Sequence, residues 1–204
     1  TPATLCTSVD EATRAAERLG YPVVLKVVSP QIGHKTEAGG VRLGITDAGA
    51  LAKAYIAMLD SVRAHAPQAR IDGVLVQPMI TGGIELIVGV STDLQFGPVL
   101  MLGMGGIFAE ALQAAAWRVC PVNRREAREM IGDITGLAKI LAGFRGQPAA
   151  DVEALLDVLV GVSRLALAAG GDIATLDINP VAVLPKGQGA MALDALIVPA
   201  ARER

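Results

Sequence analysis

Aromatic residues are scarce in this chain, at 3% of 204 residues with a single tryptophan. Base-stacking platforms are built from such rings, so the composition argues against a single-stranded nucleic-acid binder. Positive charge is scarce too. Eighteen Lys and Arg are set against 20 Asp and Glu, for a net charge of −2. Phosphate-backbone binding needs a basic face, and no nucleic-acid partner is expected. The two cysteines, Cys6 and Cys120, lie far apart without a CxxC pattern. That predicts reduced thiols and a cytoplasmic setting rather than a disulfide framework. Long apolar runs are missing as well. The longest uncharged stretch, Leu94 to Ala109, is broken by Pro98 and several glycines. It is a poor membrane span, no signal peptide is visible, and no membrane association is expected. No HExxH, no Cys/His zinc spacing and no Ser-His-Asp or Cys-His nucleophile pattern occurs. "LGMGGIFAE", residues 102–110, is not a GxGxxG fingerprint, and no acid stands at the end of a following strand. A dinucleotide site of that kind is rejected. Its glycines would still let backbone amides approach a phosphate.

What is present is apolar: 52% hydrophobic residues against 19% charged. Such a chain buries a sizeable core. Its mean hydropathy of +0.48 fits alanine-rich helices and buried strands. Ser8 and Glu11 form a capping box before the stripe Ala12, Ala15, Ala16, Leu19, and Gly20 stops that helix. "PVVLKVV" and "VRLGI" read as strands. Asp47 caps a second helix with Leu51, Tyr55, Met58 and Val62 on one face, and residues 71–80 form a third strand. Gly82-Gly83 then punctuates the chain. "IELIVGVSTD" and "GPVLMLGM" are strands, Asn123 caps a helical region interrupted by glycines, and "DVEALLDVLVGVSRLALAAGG" is a long helix. "ATLDINPVAVLP" and "AMALDALIV" are strands joined in a hairpin by Lys-Gly-Gln-Gly. The order predicts two α+β lobes, residues 1–78 and 79–204. The chain opens without Met and stops close after an apolar strand, which leads us to expect a domain cut from a longer polypeptide.

Several polar residues stand in apolar places. Lys26 interrupts "VVLKVV". It is either an edge-strand lysine that snorkels to water or a cation aimed at a phosphate. Glu85 follows the glycine pair. It is either a solvent-facing strand residue or an acceptor for ribose hydroxyls. Asp177 and Asn179 in "LDINP" are two apart, hence on one face of a strand. Asp194 falls near Asn179 and Val181 across the hairpin. An all-oxygen set of this kind suits Mg²⁺, against the plain reading of a satisfied strand-and-turn pair of acids. Glu110 is a candidate second acid near that metal or an ordinary helix acid. Arg118 is a phosphate clamp or the partner of an acid. Trp117 reads as a core residue. His34, in "GHKTEAGGV", is one of only two histidines.

Taken together, "GYPVVLK", "HKTEAGGV", "VLVQPMITGGIELIVG", "FGPVLMLGMGGIFAE", "RVCPV", "GFRGQP", "LDINP" and "LDA" resemble the ATP-grasp module of ADP-forming acyl-CoA synthetases. Succinyl-CoA synthetase β subunits are more distant relatives. The resemblance covers nearly the whole chain and implies an ATP-grasp fold, an α+β arrangement of two lobes with the nucleotide cleft between them. It implies ATP/ADP and Mg²⁺ as cofactors. Lys26 matches a lysine on the ATP phosphates. Gln77 to Met79 match the hinge that binds adenine through backbone groups, and Glu85 the ribose acid. Asp177, Asn179 and Asp194 match the magnesium positions, with Asp177 standing where glutamate is commoner. Glu110 and Arg118 match polar positions at the phosphate end. His34 matches a histidine that carries phosphate between distant sites, and Lys35 with Gly39-Gly40 its swinging loop. A neutral imidazole is a competent nucleophile near pH 7, and a glycine pair would lend the loop freedom.

The resemblance also implies partners, a CoA-binding and a CoA-ligase domain, in the same polypeptide or as an α subunit. Two other readings stand beside this one. The first is a nucleotide-sensing regulatory domain fused to a protein acetyltransferase. The second is an ATP-grasp ligase with a different acceptor.

Overall fold

The computed structural model describes residues 2–33, 35–105 and 114–200. The chain divides into two compact units, Thr1–Thr81 and Gly82–Arg204.

Short-range chemistry sets the helix ends. In α1 (Val9–Leu19) the Ser8 side chain accepts from Glu11 N–H, and Gly20 at φ 84° ends the helix. The Glu11 carboxylate reaches back to Thr7, taking its N–H at 2.8 Å and its hydroxyl at 3.0 Å. Those bonds hold its pKa below the usual carboxylate value. Asp47 caps α2 (Ala48–His65) through Ala50 N–H. In the second unit Asn123 and Glu126 form a complete capping box on α3 (Arg124–Asp133). Gly132 lies within α3, and the interruption comes at Gly136, whose left-handed backbone starts the short α4 (Leu137–Leu141). Asp151 caps α5 (Val152–Ala168).

The strands of the first unit are β1 (Thr4–Cys6), β2 (Val23–Val28), β3 (Val41–Ile45) and β4 (Gly73–Pro78). They form an antiparallel sheet in the order β1-β4-β2-β3. Strand alternation divides its faces. Val23, Leu25, Val74 and Val76 pack with Ala12, Ala16, Leu51 and Met58 of the helices. Each fully buried side chain such as Leu25 or Met58 contributes about 1.5–3 kcal/mol through removal from water. A smaller cluster of Val27, Ile32, Ala38 and Val62 pins both feet of the segment between β2 and β3.

The second unit holds β5 (Ile84–Asp93), β6 (Gly97–Met104), β7 (Ala115–Val119), β8 (Ile173–Val183), β9 (Ala190–Ala192) and β10 (Ala195–Pro199). Among the described residues its sheet runs β10-β8-β5-β6-β7, with β9 also on β8. Leu86, Val88, Leu100, Leu102 and Val181 face α3, α4 and α5, where Met130, Leu155, Leu156 and Leu159 complete the core. The strands differ from the sequence reading in three places. β1 and β7 were not anticipated as strands. The expected strand "AMALDALIV" is split by Leu193-Asp194 into β9 and β10, and both pair with β8. Asp151 ties this hairpin to the helix layer: its carboxylate accepts from Gly187 and Gly189 at 2.9 and 3.0 Å as well as capping α5. Among the described residues no helix is long and apolar enough to cross a membrane.

Candidate functional site

In the first unit, Lys26 is not on an edge. It sits in β2, paired with Leu75 of β4 on one side and Val41 of β3 on the other. β3 returns alongside β2 after the 29–40 segment, which turns an apparent edge strand into an inner one. Because Leu25 and Val27 face the core, Lys26 projects from the sheet face away from the helices, half-buried. Gln77 shares that face, since it pairs with Val24, two residues from Lys26. Met79 follows the end of β4, and its N–H is committed to Pro22 C=O at 2.9 Å. The backbone N–H of Met79 is thus used by the fold and not offered to a ligand.

The "GHKTEAGGV" segment is built from its feet. Gly40 N–H donates to Lys35 C=O at 2.7 Å, and Gly40 C=O accepts from Val27 N–H at 2.8 Å. Gly39 N–H bonds Thr36 C=O at 3.0 Å, and Arg42 Nη1 reaches Gly39 C=O at 2.8 Å. The glycine pair serves close packing here, not the freedom expected of it. A Cβ on Gly40 would lie 2.4 Å from Val27 Cγ1, and one on Gly39 (φ 66°) would lie 2.2 Å from Ser61 Oγ. Lys35 is half-buried. His34 lies outside the described residues.

In the second unit the register brings several expected residues onto one face. Glu85 is exposed, one step from the core residue Leu86 and hence on the face away from the helices. A Cβ on Gly105 would come within 2.8 Å of the Glu85 backbone, whose carbonyl accepts from Gly105 N–H at 2.9 Å. Asp177 pairs with Gly89 and with Leu196, so it shares the face of Glu85. A bulge then places three steps of β8 against two of β5, between Ile178 and Val181. The period-of-two argument linking Asp177 to Asn179 therefore stops at Ile178. Asn179 is located instead by its N–H, which donates to Asp194 C=O at 3.2 Å, while Leu193 N–H bonds Pro180 C=O at 2.9 Å. Asp177, Asn179 and Asp194 are thus close neighbours at the junction of β8, β9 and β10.

The donor chemistry of this trio is all oxygen, two carboxylates and an amide, which fits a hard divalent cation such as Mg²⁺ with water completing its shell. Among the described residues no group of three or more His, Cys, Asp or Glu side chains is placed to hold a metal. The two acids need the Asn179 amide and further ligands to make a site. Glu110, the other expected acid, lies outside the described residues.

Two residues of β7 take places that the sequence does not show locally. Arg118 pairs in register with the core residue Leu100, which puts it on the helix-covered face, opposite Glu85 and Asp177. There its Nη2 contacts Asp133 of α3 at 2.5 Å and its Nη1 bonds Trp117 C=O. The contact with Asp133 is the pairing with an acid that was one of the two readings of Arg118. Trp117 is 53% exposed rather than core. It ends a cross-strand row, Trp117-Met101-Gly89-Asp177-Leu196, along the face that carries Asp177. Sequence reasoning missed Asp151. Its spacing before an apolar helix signalled a cap, but nothing local signalled its grip on the hairpin turn. Its pKa is lowered, first by the Gly189 N–H and then by Ala154. Both thiols, Cys6 and Cys120, are unpaired and buried, and burial pushes both up.

Comparison with known proteins covers almost all of this architecture. The family model of the ATP-grasp domain matches residues 1–198. The chain is 43% identical over 194 residues to the acetate–CoA ligase [ADP-forming] II subunit beta of Pyrococcus furiosus, covering 95% of this chain and 82% of that subunit. It is 46% identical over 186 residues to acetate–CoA ligase [ADP-forming] I of Archaeoglobus fulgidus, covering 91% of this chain. It spans only 27% of that longer protein's length. The fold superposes at a TM-score of 0.92 and 38% identity on the dinucleotide-forming acetyl-coenzyme A synthetase 1 of Ca. Korarchaeum cryptofilum, solved with coenzyme A, Ca-AMPCP and HgCl+. That match covers 98% of this chain and 86% of the other. A second structure of the same protein holds coenzyme A and Mg-AMPPCP, with a phosphohistidine segment pointing towards the nucleotide binding site. It matches at a TM-score of 0.78 and 35% identity, over 96% of this chain and 84% of that one.

Proposed function

Because the chain belongs to the ATP-grasp domain family, with the β subunits of ADP-forming acetate–CoA ligases, we propose that it is the ATP-binding, phosphoryl-transfer part of an ADP-forming acid–CoA ligase. The whole enzyme converts acid, CoA and ATP to acyl-CoA, ADP and phosphate. The observation that carries this reading is the match to a ligase β subunit over most of both chains. The geometry supports it. A cation, Lys26, stands on the sheet face away from the helices in one unit, and the acids Glu85 and Asp177 stand on the corresponding face in the other. The reported relatives are ligases, which favours the catalytic reading over a regulatory one.

In this reading Lys26 and Lys35 neutralise phosphate charge. Gln77 and the backbone around Met79 border the adenine, and Glu85 accepts from ribose hydroxyls. Asp177, Asn179 and Asp194 would hold Mg²⁺, with Glu110 as a further ligand. When bound, that ion would neutralise phosphate charge. The nucleophile is the neutral imidazole of His34. Its lone pair forms an N–P bond to the γ-phosphorus, the bond from that phosphorus to the bridging oxygen breaks, and ADP leaves with the electron pair. The Gly39-Gly40 foot holds the carrier segment to β2 while His34 changes partners. The CoA-binding and CoA-ligase domains, in the same polypeptide or in an α subunit, complete the reaction. A cytoplasmic setting agrees with two buried unpaired thiols.

Calorimetric titration of the chain with ATP tests this reading. One saturable event that tightens with Mg²⁺ is expected. No binding of ATP, with or without Mg²⁺, by a chain shown to be folded would overturn it.

A further inference from the structure

The second unit contains a cavity of about 420 Å³ lined by Ile84, Ile140, Phe144, Pro148, Val183 and Pro185. Its volume lies within the roughly 300–1,000 Å³ range of small-molecule sites. It is on the helix side of the sheet. Ile84 and Val183 are register partners that pack on the helical core, whereas Glu85, the next residue, faces the opposite way. The cavity and the residues assigned to nucleotide therefore occupy different faces.

One wall is an unusual loop. Phe144 is carried between Gly143 (φ 99°) and Gly146 (φ 83°), and Arg145 is the non-glycine residue with positive φ (51°) among the described residues. The loop closes on itself. Gln147 N–H bonds Phe144 C=O at 3.1 Å, and a Cβ on Gly143 would lie 2.8 Å from Gln147 C=O. A non-glycine side chain at positive φ costs on the order of 1–3 kcal/mol and persists only where surrounding structure holds it. Phe144 meets two cations, one from α4 and one from the loop: Lys139 Nζ is 5.2 Å and Arg145 Cζ 5.4 Å from its ring centroid. Among the described residues neither cation is in an ion pair, although Arg118, Arg124, Arg125 and Arg128 of the same unit all are. Two like charges around one ring repel, and a bound anion would relieve that repulsion.

From the apolar cavity, the two cations that approach its lining residue Phe144 and the closed loop that carries Phe144 and Arg145, we infer a second ligand site for an apolar monocarboxylate. The hydrophobic body fills the space between Ile84, Ile140 and Pro185. The carboxylate is taken by Arg145 and Lys139. The inference does not rest on the nucleotide reading.

The test uses the full chain with phenylacetate, its neutral isostere phenylacetamide, and acetate. Methyl NMR is expected to show saturable phenylacetate shifts at Ile84, Ile140 and Val183. Acetate, which has no body to fill the cavity, is expected to give none. In the variant Lys139→Gln/Arg145→Asn, with asparagine chosen because it tolerates positive φ, phenylacetate affinity is expected to fall about 10-fold or more. Phenylacetamide binding is expected to stay unchanged. Saturating ATP is expected to leave the phenylacetate shifts in place. Absence of binding, equal affinity of phenylacetate for wild type and variant, or displacement by ATP would each overturn the inference. Displacement alone would leave the nucleotide reading standing.

Discussion

The face of the first sheet that looks away from its helices carries a cation, Lys26, beside Gln77. The corresponding face of the second carries acids, Glu85 and Asp177, with Asn179 and Asp194 at its β8–β10 junction. Both sheets hide one apolar face under helices and leave the other for chemistry, so the scaffolds are alike and the charges opposite. In the proposed reading, the division matches the chemistry of a nucleoside triphosphate. Its phosphates call for a cation, while its ribose hydroxyls and its metal call for oxygen acceptors. The units also secure their functional segments differently. The first uses close backbone packing at Gly39-Gly40. The second uses a carboxylate, Asp151, that binds three N–H groups.

This contrast predicts separable defects. The largest is expected in the second unit. Asp194→Asn or Asp177→Asn should raise the Mg²⁺ concentration needed for tight ATP binding by about 10–100-fold or more, the scale on which metal sites respond to altered support. An unchanged Mg²⁺ dependence in titration calorimetry would remove these residues from the metal site. In the first unit, Lys26→Met should weaken ATP itself by roughly 10–100-fold, as charged hydrogen bonds contribute about 1.5–3 kcal/mol. Its Mg²⁺ dependence should not change. If Lys26→Met and Asp194→Asn gave the same pattern, the division of charge between the sheets would have no functional meaning.

Two smaller effects concern how each segment is held. Gly40→Ala should destabilise the first unit by about 1–3 kcal/mol, because the new methyl meets Val27 and the Lys35 carbonyl. Gly33→Ala, with nothing within 4 Å of its added Cβ, should be close to neutral in urea unfolding. In the second unit Asp151→Asn should lower the melting temperature at neutral pH. The folded-state pKa of Asp151 is depressed, so its stabilisation is complete above the unfolded value near 3.9 and is lost as pH falls through the folded value. The gap between wild type and variant should narrow below about pH 4, as thermal melts across pH would show.

Most elements were legible because periodicity and caps are local signals. Ser8, Asp47 and Asn123 each announce a helix within four residues. The residues that misled depend on distant partners. β1 is three residues long, and its pairing partner β4 lies some seventy residues on. "AAWRV" has no alternation to mark it as a strand, and its pairing with β6 puts Trp117 on the far face and Arg118 against Asp133. The edge reading of Lys26 stayed open beside the phosphate one because the return of β3 across a long segment cannot be read locally. The nearness of Asp194 to Asn179 was legible because the hairpin turn is short. The bulge at Asn179-Pro180 was not, since it arises from pairing with β5.

The central claim is that the phosphate of ATP passes to His34, and one measurement addresses it directly. The chain, joined by its CoA-ligase portion, is incubated with Mg²⁺ and γ-labelled ATP, and the label is mapped by residue. The account predicts acid-labile label on His34, absent from His34→Ala and reduced in Lys26→Met and Asp194→Asn. A wild-type chain that binds ATP yet takes no label, or a His34→Ala chain that still carries it, would contradict the account.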